Sequence, residues 1–113
     1  MNYNRRQLKP ETVWLRYVRQ RLQLSFGSKC RLIKIMGGLG QEAGISDLIG
    51  VIDGFAVALE LKTPGGRHKV SPAQAQFLED WNMAAGIGVV IDSQQTLDDF
   101  IGKFQTVQGR LFR

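Results

Sequence analysis

Asp47-Leu48-Ile49-Gly50-Val51-Ile52-Asp53-Gly54-Phe55-Ala56-Val57-Ala58-Leu59-Glu60-Leu61-Lys62 is the stretch whose reading decides the fold. Two apolar runs flank Asp53-Gly54, a dipeptide that favours a two-residue hairpin because both residues tolerate left-handed backbone. The runs Asp47–Ile52 and Phe55–Lys62 are therefore predicted to be antiparallel neighbours. Side chains alternate across a strand, so Ala56, Ala58, Glu60 and Lys62 share one face while Leu59 and Leu61 look toward a packed layer. Two small residues followed by two charged ones leave room on the first face. The hairpin also carries Asp47, at the start of one strand, toward Glu60, near the end of the other.

Working outward, Cys30 to Met36 reads as a further strand with imperfect alternation. A connection rich in glycine (Gly37, Gly38, Gly40, Gly44) joins it to the hairpin. Upstream, Trp14, Val18 and Leu22 recur at a four-residue step with Leu15 and Tyr17 alongside, which predicts a helix from about Glu11 to Leu24. Pro10 suits its first turn, Gly27 ends it, and Arg16, Arg19 and Gln23 face outward. Downstream, Pro64-Gly65-Gly66 opens a basic loop with Arg67, His68 and Lys69. Ser71 then caps a helix with Pro72 at its first position, and Ser71-Pro72-Ala73-Gln74 fits a capping box. Phe77, Leu78, Trp81, Ala84 and Ala85 form the predicted buried stripe, with Gly86 as a left-handed stop. Gly88 to Ile91 is a short strand that follows a helix and so joins the sheet parallel to a neighbour. Thr96 to about Gln108 is a last amphipathic helix, with Leu97, Phe100, Ile101 and Phe104 inward. The order is α-β-β-β-α-β-α, a mixed sheet flanked by helices, in one α/β domain over residues 1–113.

Composition narrows the function classes. The chain has 113 residues, 43% of them apolar and 22% charged, in the range of a globular domain. No run approaches the length of a membrane helix, and no secretory leader is evident, so no membrane partner is expected. Cys30 is the only cysteine and His68 the only histidine, which excludes an internal disulfide and an ordinary structural zinc site. A cytoplasmic setting is expected. The net charge is +5, and residues 1–34 hold nine basic side chains (Arg5, Arg6, Lys9, Arg16, Arg19, Arg21, Lys29, Arg31, Lys34) against a single acid, Glu11. That front end points to a polyanion, nucleic acid being the commonest, or else to a solvated helix face.

Several residues carry candidate chemistry. Glu60 and Lys62 share one strand face, which taken alone also fits a strand end emerging into water. Asp47 adds a second carboxylate close by, and two close carboxylates repel unless a proton or cation lies between them. Mg²⁺ and Mn²⁺ favour such hard oxygen ligands, and the backbone carbonyl of Leu61 can add another. Asp53 is explained by its turn. Glu11 extends the inward face of the first helix, where it either complements the helix dipole or assists a metal, directly or through water. Gln74 serves the capping box, yet lies on the helix side that faces the sheet near Lys62. His68 reads as an exposed loop residue, and Trp14, Tyr17 and Trp81 as core.

The run Gly44-Ile45-Ser46-Asp47-Leu48-Ile49-Gly50, then Asp53-Gly54, Glu60-Leu61-Lys62 and Ser71-Pro72-Ala73-Gln74 resembles the PD-(D/E)XK nucleases, and more closely the VRR-NUC (virus-type replication-repair nuclease) family. The resemblance spans Glu11 to about Ser93. One departure is Ser46, where the family often has proline. The resemblance implies a restriction-endonuclease-like core and divalent-metal-dependent hydrolysis of DNA phosphodiesters. Asp47, Glu60 and the Leu61 carbonyl would hold Mg²⁺ or Mn²⁺, and Lys62 would position the attacking water and stabilise charge on the phosphate. Gln74 would orient Lys62 or the phosphate, and Glu11 would support the metal, directly or through water. Arg5, Arg6, Lys9, Arg16, Arg19, Arg67 and Lys69 are the expected DNA contacts. Small stand-alone relatives resemble Holliday-junction resolvases and are often homodimers, which implies branched DNA as substrate and a bacterial cell, or a phage acting in one, as the setting. The last helix, or Leu111 and Phe112, would form the dimer contact. Flap or end processing, and DNA binding without catalysis, are the competing readings.

Overall fold

The computed structural model describes residues 7–36 and 42–111. Arg5, Arg6, Gly37, Gly38, Gly40 and Phe112 lie outside them, as does the side chain of Leu111. The elements are α1 (Pro10–Phe26), β1 (Cys30–Lys34), β2 (Leu48–Ile52), β3 (Phe55–Leu61), α2 (Pro72–Met83), β4 (Ile87–Ile91) and α3 (Gln94–Leu111). One four-stranded sheet runs β1-β2-β3-β4. The first three strands form an antiparallel meander, and β4 joins β3 in parallel after the α2 crossover. This is the predicted order, and the sheet is mixed. Asp53 (φ 53°) and Gly54 (φ 87°) make the tight turn between β2 and β3.

α1 and α3 cover one face. Trp14, Val18 and Leu22 meet Leu32, Leu48, Ile52, Val57, Leu59 and Ile91 there, together with Leu97, Phe100, Ile101 and Phe104. An ion pair from Arg21 to Asp98 (2.6 Å) ties α1 to α3, so one of the front-end positive charges is spent within the fold. The other face is covered by α2 through Phe77 and Leu78 on Ala58, with Trp81 packed alongside. The room expected over Ala58 is therefore filled, while Ala56 stays exposed with its carbonyl accepting from the Trp81 indole at 3.2 Å. At the Glu60 end the face borders a cleft lined by Asp47, Lys62 and Gln74.

The end of α2 departs from expectation. Ala84 and Ala85 are exposed rather than part of the buried stripe, and the left-handed residue is Ala85 (φ 71°), not Gly86. Gly86 meets a different need, since a Cβ there would lie 2.5 Å from the Trp81 ring nitrogen. α3 begins at Gln94, two residues earlier than expected. Ser93 and Thr96 cap it reciprocally, each hydroxyl accepting the other's backbone N–H at 3.0 Å.

At each sheet edge a side chain engages one outward-facing residue of the backbone. Ile35 and Lys29 carry the ladder bonds to Asp47 and Asp53, so the alternate residue Leu32 turns its carbonyl away from β2. Arg19 donates to that carbonyl at 3.4 Å. On β4, the Ile91 carbonyl turns toward β3, where Lys62 N–H donates to it at 3.0 Å, so Gly88 turns outward. The Asn82 amide engages both Gly88 groups, accepting from its N–H at 2.8 Å and donating to its carbonyl at 3.0 Å.

Candidate active site

A cleft of about 390 Å³ opens where the first turn of α1, the ends of β1 and β3, and the start of α2 converge. Glu11, Lys34, Asp47, Glu60, Lys62, His68 and Gln74 line it. Gly44 (φ 76°) lets the chain reach it: a Cβ there would sit 2.3 Å from the Ala73 backbone, so the segment before Asp47 lies directly on the start of α2. Asp47 is then fixed by its neighbour strand, with one carboxylate oxygen accepting from the Leu61 N–H at 2.8 Å. The Ile91 carbonyl anchors the other side. It takes the Trp14 indole N–H at 3.1 Å as well as the Lys62 N–H, which holds α1 against the site.

Glu60 is 2% exposed. Its Oε2 accepts from Gln74 Nε2 at 3.0 Å and lies 3.4 Å from Lys62 Nζ, while its Oε1 is buried without a protein partner. Gln74 does two jobs with one amide. Its oxygen accepts the Ser71 N–H at 2.9 Å to complete the capping box, and its nitrogen holds Glu60. Burial first, and the charge and close contact of Asp47 next, push the Glu60 carboxyl up from 4.5 to about 7 against the opposing pull of Lys62.

These residues suit a hard divalent cation. Glu60 Oε1 is buried without a hydrogen-bond partner, and the Asp47 carboxyl close to Glu60 adds a repulsion that a cation, like a proton, would relieve. Among the described residues no three Asp, Glu, His or Cys side chains group as a metal site. The side chains that could hold such an ion are thus Asp47 and Glu60, and Mg²⁺ is commonly bound by one or two carboxylates with water completing its shell. Glu11 lines the cleft but is exposed at its mouth and does not complete a three-acid group.

Of the expected DNA contacts, Lys9, Arg16, Arg67 and Lys69 are exposed. Arg19 is exposed as a residue, but its guanidinium also braces the Leu32 carbonyl, a tie that its outward helix position does not reveal. Two cleft residues escaped the sequence reading. Lys34 pairs with Leu48 and so stands beside Asp47, a proximity implicit in strand register. His68 reaches the cleft wall only because the loop after Lys62 folds back, and no local pattern announces that.

Fold and site together define a mixed-sheet α/β domain with a paired-carboxylate and lysine cleft at the end of its central hairpin. A solved structure described as a VRR_NUC domain protein shares this fold, at 20% identity over 89% of each chain and a TM-score of 0.58. No family model and no curated protein matches the sequence.

Proposed function

We propose that this protein is a divalent-metal-dependent, structure-selective DNA endonuclease that hydrolyses phosphodiester bonds. The observation that carries the reading is the Glu60 carboxylate, buried with Oε1 unpartnered, against Asp47 and 3.4 Å from Lys62 Nζ. Asp47 and Glu60 hold Mg²⁺ or Mn²⁺, with the Leu61 carbonyl as a backbone ligand. The bound ion supplies Lewis acidity toward the phosphodiester and toward water. Lys62 places positive charge where the phosphate gains negative charge, and orients the attacking water. Gln74 keeps Glu60 in place, and Glu11 acts at the mouth through water. The exposed Lys9, Arg16, Arg19, Arg67 and Lys69 contact backbone phosphates, as Arg5 and Arg6 do from the N-terminal segment. The preferred substrate is branched DNA, resembling the Holliday junction, cut by a homodimer whose two-fold symmetry matches paired strands.

The test incubates the protein and Glu60→Ala with labelled four-way junctions, flaps, linear duplex and single strands, each with Mg²⁺, Mn²⁺ or EDTA. Metal-dependent paired cuts in the junction are expected, absent in Glu60→Ala while DNA binding persists. Cuts mainly in flaps or ends would replace the junction reading with end processing. Binding without cutting of any substrate would refute catalysis.

A further inference from the structure

A second hollow of about 310 Å³ adjoins the cleft. Lys62, Thr63 and His68 line both, so the loop after β3 is a shared wall with the cleft on one side and this hollow on the other. The loop is held in shape locally. Thr63 O accepts the Gly66 N–H at 2.9 Å around Pro64 and Gly65 (φ 72°), the pattern of a type II turn. Lys69 adds a second ammonium group to the hollow. The one acid in its lining, Asp92, accepts from the Thr96 hydroxyl at 3.2 Å. The lining residues thus carry two ammonium groups, a hydroxyl and an imidazole against a single carboxylate, the Lys62 ammonium also lying 3.4 Å from Glu60 Oε2.

We propose that this hollow is a second phosphate subsite, which takes the phosphodiester next to the scissile one on the same strand, with His68 and Lys69 as its donors. The proposal rests on the nuclease reading of the cleft. A strand crossing the shared wall presents successive phosphates to successive hollows, and Lys62 lies between them. An imidazole donates an N–H in either protonation state, and a lysine ammonium donates three, so both suit a non-bridging phosphate oxygen. The subsite fixes the register of the strand, so the phosphate over Asp47 and Glu60 is set by its neighbour rather than by base identity.

The test is single-turnover cleavage with Mg²⁺ of whichever unmodified DNA is cut fastest, against the same DNA with one neutral methylphosphonate placed beside the scissile position, on either side in turn. One of the two neighbours should slow the wild-type protein at least about ten-fold, the low end for even one hydrogen bond to a charged oxygen. The His68→Ala/Lys69→Ala variant should be slower on unmodified DNA and show no further loss at that neighbour. Both side chains are exposed, so its thermal midpoint should match the wild type. If neither neighbour matters to the wild type, or the variant stays equally sensitive, the subsite is refuted while the nuclease reading stands. If no unmodified DNA is cut, the nuclease reading is refuted and the subsite with it.

Discussion

The metal-free protein should lose stability as pH rises from about 4.5 to about 7, and Glu60→Gln should remove most of that loss. Glu60 titrates near 7 in the fold against an ordinary 4.5, so between those values the folded state binds a proton that the unfolded chain has released. Stability then falls with pH over that window, and the loss is complete above about 7. The gap corresponds to about 3 kcal/mol for a carboxyl cut off from water, and nearer 2 kcal/mol allowing for screening by solvent in the cleft. Glutamine has the same shape and no charge, and its amide can donate to Asp47. At pH 8 with EDTA the variant should therefore be the more stable protein by about 2 kcal/mol, while at pH 4.5 the two should converge. Urea titrations followed by the fluorescence of Trp14 and Trp81 at four or five pH values measure this directly. Saturating Mg²⁺ should restore wild-type stability at pH 8 and leave the variant nearly unmoved. Parallel pH profiles for the two proteins would refute the idea that the unpartnered carboxylate lacks a cation.

Other perturbations separate roles that share a residue. Gln74→Glu keeps an oxygen for the Ser71 N–H but sets a negative charge against Glu60, so thermal unfolding should show a loss of stability at pH 8 that shrinks toward pH 4.5, while cleavage falls at least about ten-fold. Gln74→Ala should lose activity and also about 1 kcal/mol of stability, read by urea titration. Ala85→Gly relieves a left-handed alanine and should raise stability by about 0.5–1 kcal/mol in the same assay. Arg16→Ala should weaken DNA binding and lower its salt slope by about 1 without changing stability, whereas Arg19→Ala should do both harms because its guanidinium also braces Leu32. Fluorescence anisotropy across a salt series, beside urea titration, tells them apart.

What was legible in the sequence was what chemistry settles locally. Asp53-Gly54 favours a tight turn through its own backbone preferences, and Ser71-Pro72-Ala73-Gln74 caps a helix from within four residues. From those two anchors Asp47, Glu60, Lys62 and Gln74 fall into one neighbourhood, and the structure places them there. The misses share a different cause. Gly86 looked like the helix stop, but the Trp81 indole occupies the space beside it, and the left-handed turn moves one residue back to Ala85. The space over Ala58 looked vacant because alternation along β3 cannot show that α2 descends on it. His68 belongs to the cleft through the path of a loop, and Arg19 to β1 through a helix crossing, neither of which has a periodic signature.

The guarded sheet edges limit how two copies of this chain can meet. A strand arriving at β4 would have to strip Asn82 from both groups of Gly88, and one arriving at β1 would have to pry Arg19 from Leu32. Merging two sheets into one continuous eight-stranded layer would begin by breaking bonds that each copy already holds. Any pairing of two such chains would thereby be steered to helices or sheet faces and away from the strand edges.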